Sequence, residues 1–467
     1  MRLILEPAIR KLIPKEVWGV FETFTEKGFE IYLVGAGVRN LLWRKTPVEC
    51  DFTTSAPPEE IRKLFPKSYY NNAFGTVGIP IQRDKTQEIY EITTYRKEWG
   101  YTDRRRPDSV AWSESLEEDL KRREFTVSAM VVGPISQNIK HKTWNNESLE
   151  LIDLFDGIKD FKNKVIRAVG NPTERFAEDA LRMIRAIRFA SQLGFTIEEE
   201  TFAGIKNNAP LIIKISGERV RDELFKILKS DHPADGFTLL FSSGLLEQIM
   251  PELTRGYGIK QAKHHIYDVW THSLLSLKFC PAKDPLVRLA TLLHDAGKPV
   301  VARGEGEKRT FYDHEVIGAS ISQNIGRRIR LSKKELEKLV TLIRWHQFTC
   351  DERQTDSAIR RFIRNVGKEN LQDMLDLRVG DRLGGGARET SWRLEKFKQR
   401  LVEVQKQPFA ITDLKVNGND VMKALGIAPG PVIGRILEKL FEEVVEDKKK
   451  NKRPYLLKRI KEIRELL

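Results

Sequence analysis

Two glycines closing a run of β-formers, followed within about fifteen residues by a pair of carboxylates, are the residue types that phosphoryl transfer needs. Ile31 to Val34 is apolar and β-rich, Gly35 and Gly37 come next, and Val38-Arg39-Asn40-Leu41-Leu42 resumes at helical spacing. A strand, a tight loop and a helix start let the backbone approach an anion, and the free N–H groups of the helix N-terminus favour negative charge. Glu49 and Asp51 stand two apart in the next β-rich run, so alternation predicts both side chains on one strand face. Two carboxylates beside a phosphate-accepting loop suit a pair of divalent ions around a nucleoside triphosphate, with Mg2+ the expected cofactor. Glu49 and Asp51 are therefore the candidate catalytic metal ligands, and Gly35 and Gly37 candidate nucleotide-binding residues.

Further along, Arg122 and Arg123 lead into Phe125 and Val127. Their planar guanidinium forks match triphosphate oxygens. From Arg175 the pattern is strongly helical, and a helix there makes Asp179 and Arg182, three apart, project together. Arginine donors can meet the ring acceptors of a base, and an aspartate can accept from an exocyclic amino group, which cytosine and adenine carry and uracil lacks. Glu178 and Arg182 also have the spacing of an ordinary ion pair.

A second group lies in the C-terminal half: His272, His294-Asp295, His314, His346 and Asp381. The chain has eight histidines and four fall in this series, which makes a metal site the better reading. Imidazoles and carboxylates from separate helices can enclose a divalent ion and leave a position for water. Lys298 is placed to neutralise a phosphate nearby.

Taken in order, these strings resemble the class II tRNA nucleotidyltransferases and bacterial poly(A) polymerases. That family writes Gly-Gly-x-Val-Arg-Asp for the loop, Asp-x-Asp for the metal pair, Arg-Arg-Asp-Phe-Thr-x-Asn-Ala and Glu-Asp-x-x-Arg-x-x-Arg. This chain departs at Ala36, Asn40, Glu49, Glu124 and Ser128 and keeps the last string complete. The resemblance implies triphosphate binding by Arg39, Arg122 and Arg123, and base selection by Asp179, Arg182 and Arg185 without a nucleic-acid template. It also implies a further carboxylate near the metals, for which Glu91 is the candidate; Glu88, of opposite parity, cannot share its face. Residues 96–108 resemble the loop that CCA-adding enzymes use in passing from cytidine to adenosine, and Phe74-Gly-Thr-Val favours tRNA enzymes over poly(A) polymerases. The histidine series resembles the HD-type metal phosphohydrolases, whose four usual ligands correspond to His272, His294, Asp295 and Asp381, for a transition metal or Mg2+. The implied partners are a tRNA 3′ end, CTP and ATP. Rival readings are a poly(A) polymerase, an enzyme adding only the terminal adenosine, or an HD phosphohydrolase with a decayed, RNA-binding head.

The elements that must position these groups follow from pattern. A helix over residues 8 to 28 leads into the first strand, further strands run through Thr76 and Glu88, and the economical fold is an α/β nucleotidyltransferase head, a mixed sheet with flanking helices. Helical patterns then continue to the C-terminus. The expected divisions are a head over 1–165, a helical neck and body over 166–262, an HD domain over 263–390 and a helical RNA-binding tail over 391–467. In that tail Gly430 and Gly434 bracket a helix start. A net charge of +14 suits a polyanionic partner. Cys50, Cys280 and Cys350 form neither a disulfide framework nor a zinc pattern. The absence of a long apolar stretch or signal-peptide pattern gives a cytoplasmic expectation.

Overall fold

Strand β2 (Ile31–Val34) is buried at all four positions, as a strand covered on both faces must be. In the computed structural model, which describes residues 1–70, 75–83, 86–100, 109–113, 115–135, 149–261, 266–351, 353–405 and 411–464, it lies inside an eight-stranded sheet. Further strands are β1 (Arg2–Ile4), β3 (Asp51–Thr54), β4 (Tyr69–Tyr70), β5 (Thr76–Arg83), β6 (Thr86–Thr94), β7 (Arg96–Trp99), β8 (Ser109–Trp112), β9 (Met130–Pro134) and β10 (Leu149–Asp153), while the short strands Val165–Ile166 and Thr196–Ile197 pair apart from the large sheet. The sheet order is β1-β10-β9-β2-β3-β6-β5-β4, with β7 and β8 forming a separate hairpin. Only the β3–β6 pairing within the large sheet is parallel; the sheet is mixed, as expected. Phe74 and residues 101–108 of the basic segment lie outside the described residues.

The chain divides into two compact units, Met1–Pro251 and Glu252–Leu467. In the first, α1 (Lys15–Glu26) buries Val17, Val20, Phe21 and Phe24. The helix expected over 8–28 is interrupted, because Pro14 has no N–H to donate and sits at the N-cap of α1. Next come α2 (Ala36–Leu42), α3 (Leu116–Lys121), α4 (Pro172–Glu178), α5 (Leu181–Leu193) and α6 (Gly217–Lys229). Ser216 is the N-cap residue of α6, although its side chain makes no capping bond.

The second unit is helical. It includes α7 (Val269–Phe279), α8 (Pro285–Leu293), α9 (His314–Arg328), α10 (Lys333–Trp345) and α11 (Leu371–Gly384). A terminal bundle of α12 (Gly418–Leu425), α13 (Pro431–Glu446) and α14 (Arg453–Arg464) shares its own core of Val421, Ile436, Leu440, Leu456 and Ile460. Gly430 is the N-cap of α13 and Gly434 lies inside it, so a helix starts where these glycines predict one. Among the described residues no helix is long and apolar enough to cross a membrane.

Candidate functional site

The head site is built where β2 hands over to α2. Gly35 caps α2 at φ 69°, ψ −126°, a conformation that L side chains rarely adopt, and a Cβ there would meet nothing within 4 Å. Glycine is needed at this turn for its backbone freedom, and the first N–H groups of the helix have no partner within it.

Asp51 opens β3, and the parallel register sets it directly beside Glu91 on β6, so both carboxylates stand on one face. Glu88 pairs instead with Ile81 in register and forms an ion pair with Arg83 at 3.5 Å. Glu49 precedes β3 in a bend, which corrects the expectation that it shares a regular strand with Asp51. It still acts on Asp51 through space. Desolvation, then repulsion from Glu91 and Glu49, push the Asp51 carboxyl up to about 6. A patch of mutually repelling carboxylates is what a divalent cation relieves, so the donor set fits Mg2+.

Arg122 and Arg123 follow α3 and share one buried anchor. Asp119 accepts from Arg122 Nε at 3.0 Å and Nη2 at 2.6 Å, from Arg123 Nη2 at 3.3 Å, and from Thr53 Oγ1 at 2.9 Å. Thr53 lies two residues beyond Asp51 on β3, so this one carboxylate ties the arginine pair to the strand that carries the acid. Arg39 is buried, donates to Ser128 Oγ at 3.1 Å and lies 5.2 Å from the centre of the Phe189 ring on α5. Desolvation, helped by Arg188, brings its guanidinium down to about 10.

The continuous helix expected from Arg175 is broken. Asp179 is extended (φ −133°, ψ 105°), ending α4, and its Oδ1 accepts from Leu181 N at 3.0 Å at the start of α5. A short carboxylate that bonds its own downstream backbone competes with the helix, which is the reason for the break. Asp179 and Arg182 nevertheless stay electrostatic neighbours. Arg219 reaches Asp179 at 3.5 Å, Arg182 pairs with Glu178 at 2.5 Å, and Arg185 pairs with Glu124. The ordinary ion pair of Glu178 and Arg182 is thus real. Asp119 and Glu124, the anchors of three of the candidate arginines, were not singled out as functional from sequence; the three- and four-residue spacing of Asp119 from Arg122 and Arg123 is the signal that marks the first.

In the second unit five segments converge. His272 comes from α7, His294 and Asp295 follow α8, His314 opens α9, His346 follows α10 and Asp381 sits on α11. His272, His294, Asp295, His314 and His346 are all buried. His272 Nε2 lies 3.2 Å from Asp381 Oδ1 and 3.4 Å from Asp295 Oδ2; His294 Nε2 lies 3.6 and 3.3 Å from the same atoms. Gly384, one turn beyond Asp381, lets α11 lie against α7, since a Cβ there would come within 2.5 Å of Ser276 N. Burial opposes charge on Asp295 and Asp381, but His294 and Lys298 hold the first, and bonds from His272 and His294 the second, well below the usual carboxylate range. Lys298 Nζ is 2.6 Å from Asp295 Oδ2 and from Gln261 Oε1. Among the described residues, the sets of three close enough to share one ion are His272, His294 and Asp381, and His294, Asp295 and His346.

A mixed sheet with a glycine turn and adjacent acidic strands defines a nucleotidyltransferase head, and residues 31–167 match the family described as Poly A polymerase head domain. Residues 194–256 match "Probable RNA and SrmB- binding site of polymerase A", and 322–460 a second domain of tRNA nucleotidyltransferases. The CCA-adding enzyme of Levilactobacillus brevis is 33% identical over 459 residues, covering 94% of this chain and 95% of that enzyme. The chain belongs to the CCA-adding enzyme family. The Bacillus stearothermophilus CCA-adding enzyme, solved in complex with CTP, matches with a TM-score of 0.71 at 26% identity over 99% of both chains. The Thermotoga maritima enzyme complexed with tRNA shares the fold, with a TM-score of 0.60 at 20% identity over 98% of both chains.

Proposed function

We propose that this chain is a template-independent tRNA nucleotidyltransferase that adds C, C and A to tRNA 3′ ends from CTP and ATP. The observation that carries this reading is the β3–β6 register, which sets Asp51 beside Glu91 next to the Gly35 turn, in a chain related to CCA-adding enzymes over nearly its whole length. Asp51 and Glu49, with Glu91 beside Asp51 in register, would hold Mg2+. Bound there, the cations lower the pKa of the attacking 3′ hydroxyl and neutralise the departing pyrophosphate. Arg39, Arg122 and Arg123 present guanidinium groups to the triphosphate, Arg39 being held by Ser128, and Gly35 and Gly37 let the backbone come close to it. Asp179, Arg182 and Arg185 form the base-reading set, held in place by Arg219, Glu178 and Glu124. The parts are the head (1–165), the neck and body (166–262), an HD domain (263–390) and an RNA-binding tail (391–467), working in the cytoplasm.

The HD domain rests on its own observation, the convergence of His272, His294, Asp295 and Asp381. Four such donors fit a divalent ion, and the activity they suit is hydrolysis of a phosphate ester.

The test is a sequencing-gel assay with Mg2+ and tRNA transcripts ending before CCA, after C and after CC, each with CTP, ATP or both. Addition of C, C and A followed by a stop is the expected result. A long A ladder selects a poly(A) polymerase, and a single A on the CC-ended transcript alone selects an A-adding enzyme. No extension, with phosphate-ester hydrolysis by the same preparation, makes the second unit the working site.

The elevated Asp51 pKa gives a pH signature. At low Mg2+, addition falls about tenfold per unit as pH drops below about 6, because the protonated acid no longer binds the cation, and added Mg2+ moves that limb to lower pH. Stability runs the other way. The folded pKa lies above the ordinary 3.8, so protonation favours the folded head, and the stabilisation gained on acidification through 6 is lost again as pH rises. Rate profiles and thermal midpoints measured together check both signs.

A further inference from the structure

The sheet register assembles one row of residues that the proposed chemistry uses only in part. Val34, Asp51, Glu91, Gly78 and Tyr69 are successive register partners across β2, β3, β6, β5 and β4. Partners directly opposite one another point to the same face of a sheet. The other face is the core, where Phe52, Tyr90, Ile92, Val77 and Ile79 are buried and Phe21 of α1 packs edge-on against Phe52. Tyr69 therefore stands on the carboxylate face, two strands beyond Glu91.

Gly78 is what lets the Tyr69 ring lie where it does. A Cβ at Gly78 would come within 2.5 Å of Tyr69 Cζ and 2.8 Å of its hydroxyl oxygen, so the outer end of the ring reaches over the β5 backbone. Neighbouring strands run about 4.8 Å apart, so a ring based on β4 and reaching over β5 ends about one strand spacing from Glu91. Gly78 is buried, whereas Tyr69 is exposed. Ile89, two residues before Glu91 and paired with Pro80, is exposed on the same face and extends the apolar shelf.

Reaction geometry decides what such a shelf takes. The Gly35 turn and Arg39 lie on the β2 side of Asp51, and Arg39 lies against Phe189 of α5, the helix that carries Arg182 and Arg185. The triphosphate and the incoming base belong on that side. In phosphoryl transfer the attacking and leaving oxygens stand roughly in line, so with pyrophosphate leaving toward the turn, the acceptor's 3′ hydroxyl enters from the β6 side. Its ribose then carries the terminal base over β5 and β4. Every base has a π-face, so an aromatic ring holds whichever base ends the acceptor, which changes as nucleotides are added.

We propose that Tyr69 is the stacking platform for the 3′-terminal base of the RNA acceptor. The inference rests on the nucleotide-adding reading of the head and adds to it the residue that seats the acceptor.

The experiment uses the full chain and a tRNA transcript ending before CCA, with 2-aminopurine as its last base. On the parent protein the probe is quenched by stacking. It is bright on Tyr69→Ala and on Gly78→Ala, whose added Cβ displaces only the flexible end of the ring. In steady state with CTP, both variants raise KM for the tRNA by about 5- to 100-fold, the range that one base–aromatic stack is worth, and leave KM for CTP at the parent value. Tyr69→Phe keeps the ring and restores both quenching and KM. Unchanged quenching and tRNA KM in Tyr69→Ala overturn the platform, and a rise in KM for CTP instead overturns its assignment to the acceptor. A Phe variant as impaired as the Ala variant overturns stacking in favour of a hydroxyl contact. If the parent adds no nucleotide, the transferase reading fails, and quenching lost in Tyr69→Ala and Gly78→Ala still upholds the platform while unchanged quenching overturns it. Thermal melts show that the variants remain folded; if Gly78→Ala does not, the comparison of Tyr69→Ala with Tyr69→Phe decides.

Discussion

Replacing Asp51 with asparagine lowers nucleotide addition by at least about 10³-fold, since it removes a charged ligand from the ions that carry the developing charge. The reason lies in the sheet register. Asp51 is the one candidate acid that both starts a regular strand and has a carboxylate partner, Glu91, beside it on the next strand. The amide keeps the shape and discards the charge, so the fold has little to lose. Removing one of three repelling carboxylates takes away a strain that already shows in the raised pKa of Asp51. The thermal midpoint of the Asp51→Asn variant therefore stays level or rises while turnover collapses. CTP and ATP still bind through the arginines, which separates loss of chemistry from loss of binding. Single-turnover rates, nucleotide affinity and melting curves on one preparation provide the check, and a rate within tenfold of the parent would remove Asp51 from the chemistry.

The head was legible because its signals are local. A glycine that must adopt positive φ between a buried strand and a helix is visible as a residue type at Gly35, and alternation of β-formers marks β5 and β6. Glu49 was misplaced for the same reason: a two-residue spacing implies one face only if the strand has already begun, and β3 starts at Asp51. The break at Asp179 escaped a reading by periodicity, because the apolar residues keep helical spacing across it while a single side chain takes over the backbone bond. What could not be read at all was pairing between distant segments. Glu124 meets Arg185 and Ser128 meets Arg39 across 61 and 89 residues, so two of the five departures from the family wording turn out to be partners of candidate site arginines. The histidine series shows the same limit from the other side. Its members are conspicuous one by one, but how the imidazoles meet Asp295 and Asp381 is a property of five converging segments.

Asp119→Asn is the substitution expected to damage both stability and binding. Asp119 is fully buried and takes bonds from both guanidinium groups and from Thr53. Its carboxyl is opposed by burial but held below the ordinary value by Arg122 and Arg123. An amide has one oxygen to offer, and its NH2 group points a donor at arginines that are themselves only donors. Breaking a buried pair from one side costs about 3–5 kcal/mol, because the remaining charges lose their counterion without regaining water. At roughly 2–4 °C per kcal/mol for a unit of this size, the Tm of the head falls by roughly 6–20 °C. At a temperature where the variant remains folded, KM for CTP and for ATP should rise together, because the arginines that face the triphosphate are no longer aimed. The choice between C and A should persist, since the base-reading side chains hang on Glu178, Arg219 and Glu124 instead. A parallel rise in both KM values with unchanged base preference assigns Asp119 to positioning the triphosphate clamp. A change in base preference would mean that the clamp and the base-reading set are one device, and an unaltered Tm would mean that Arg122 and Arg123 do not depend on this carboxylate.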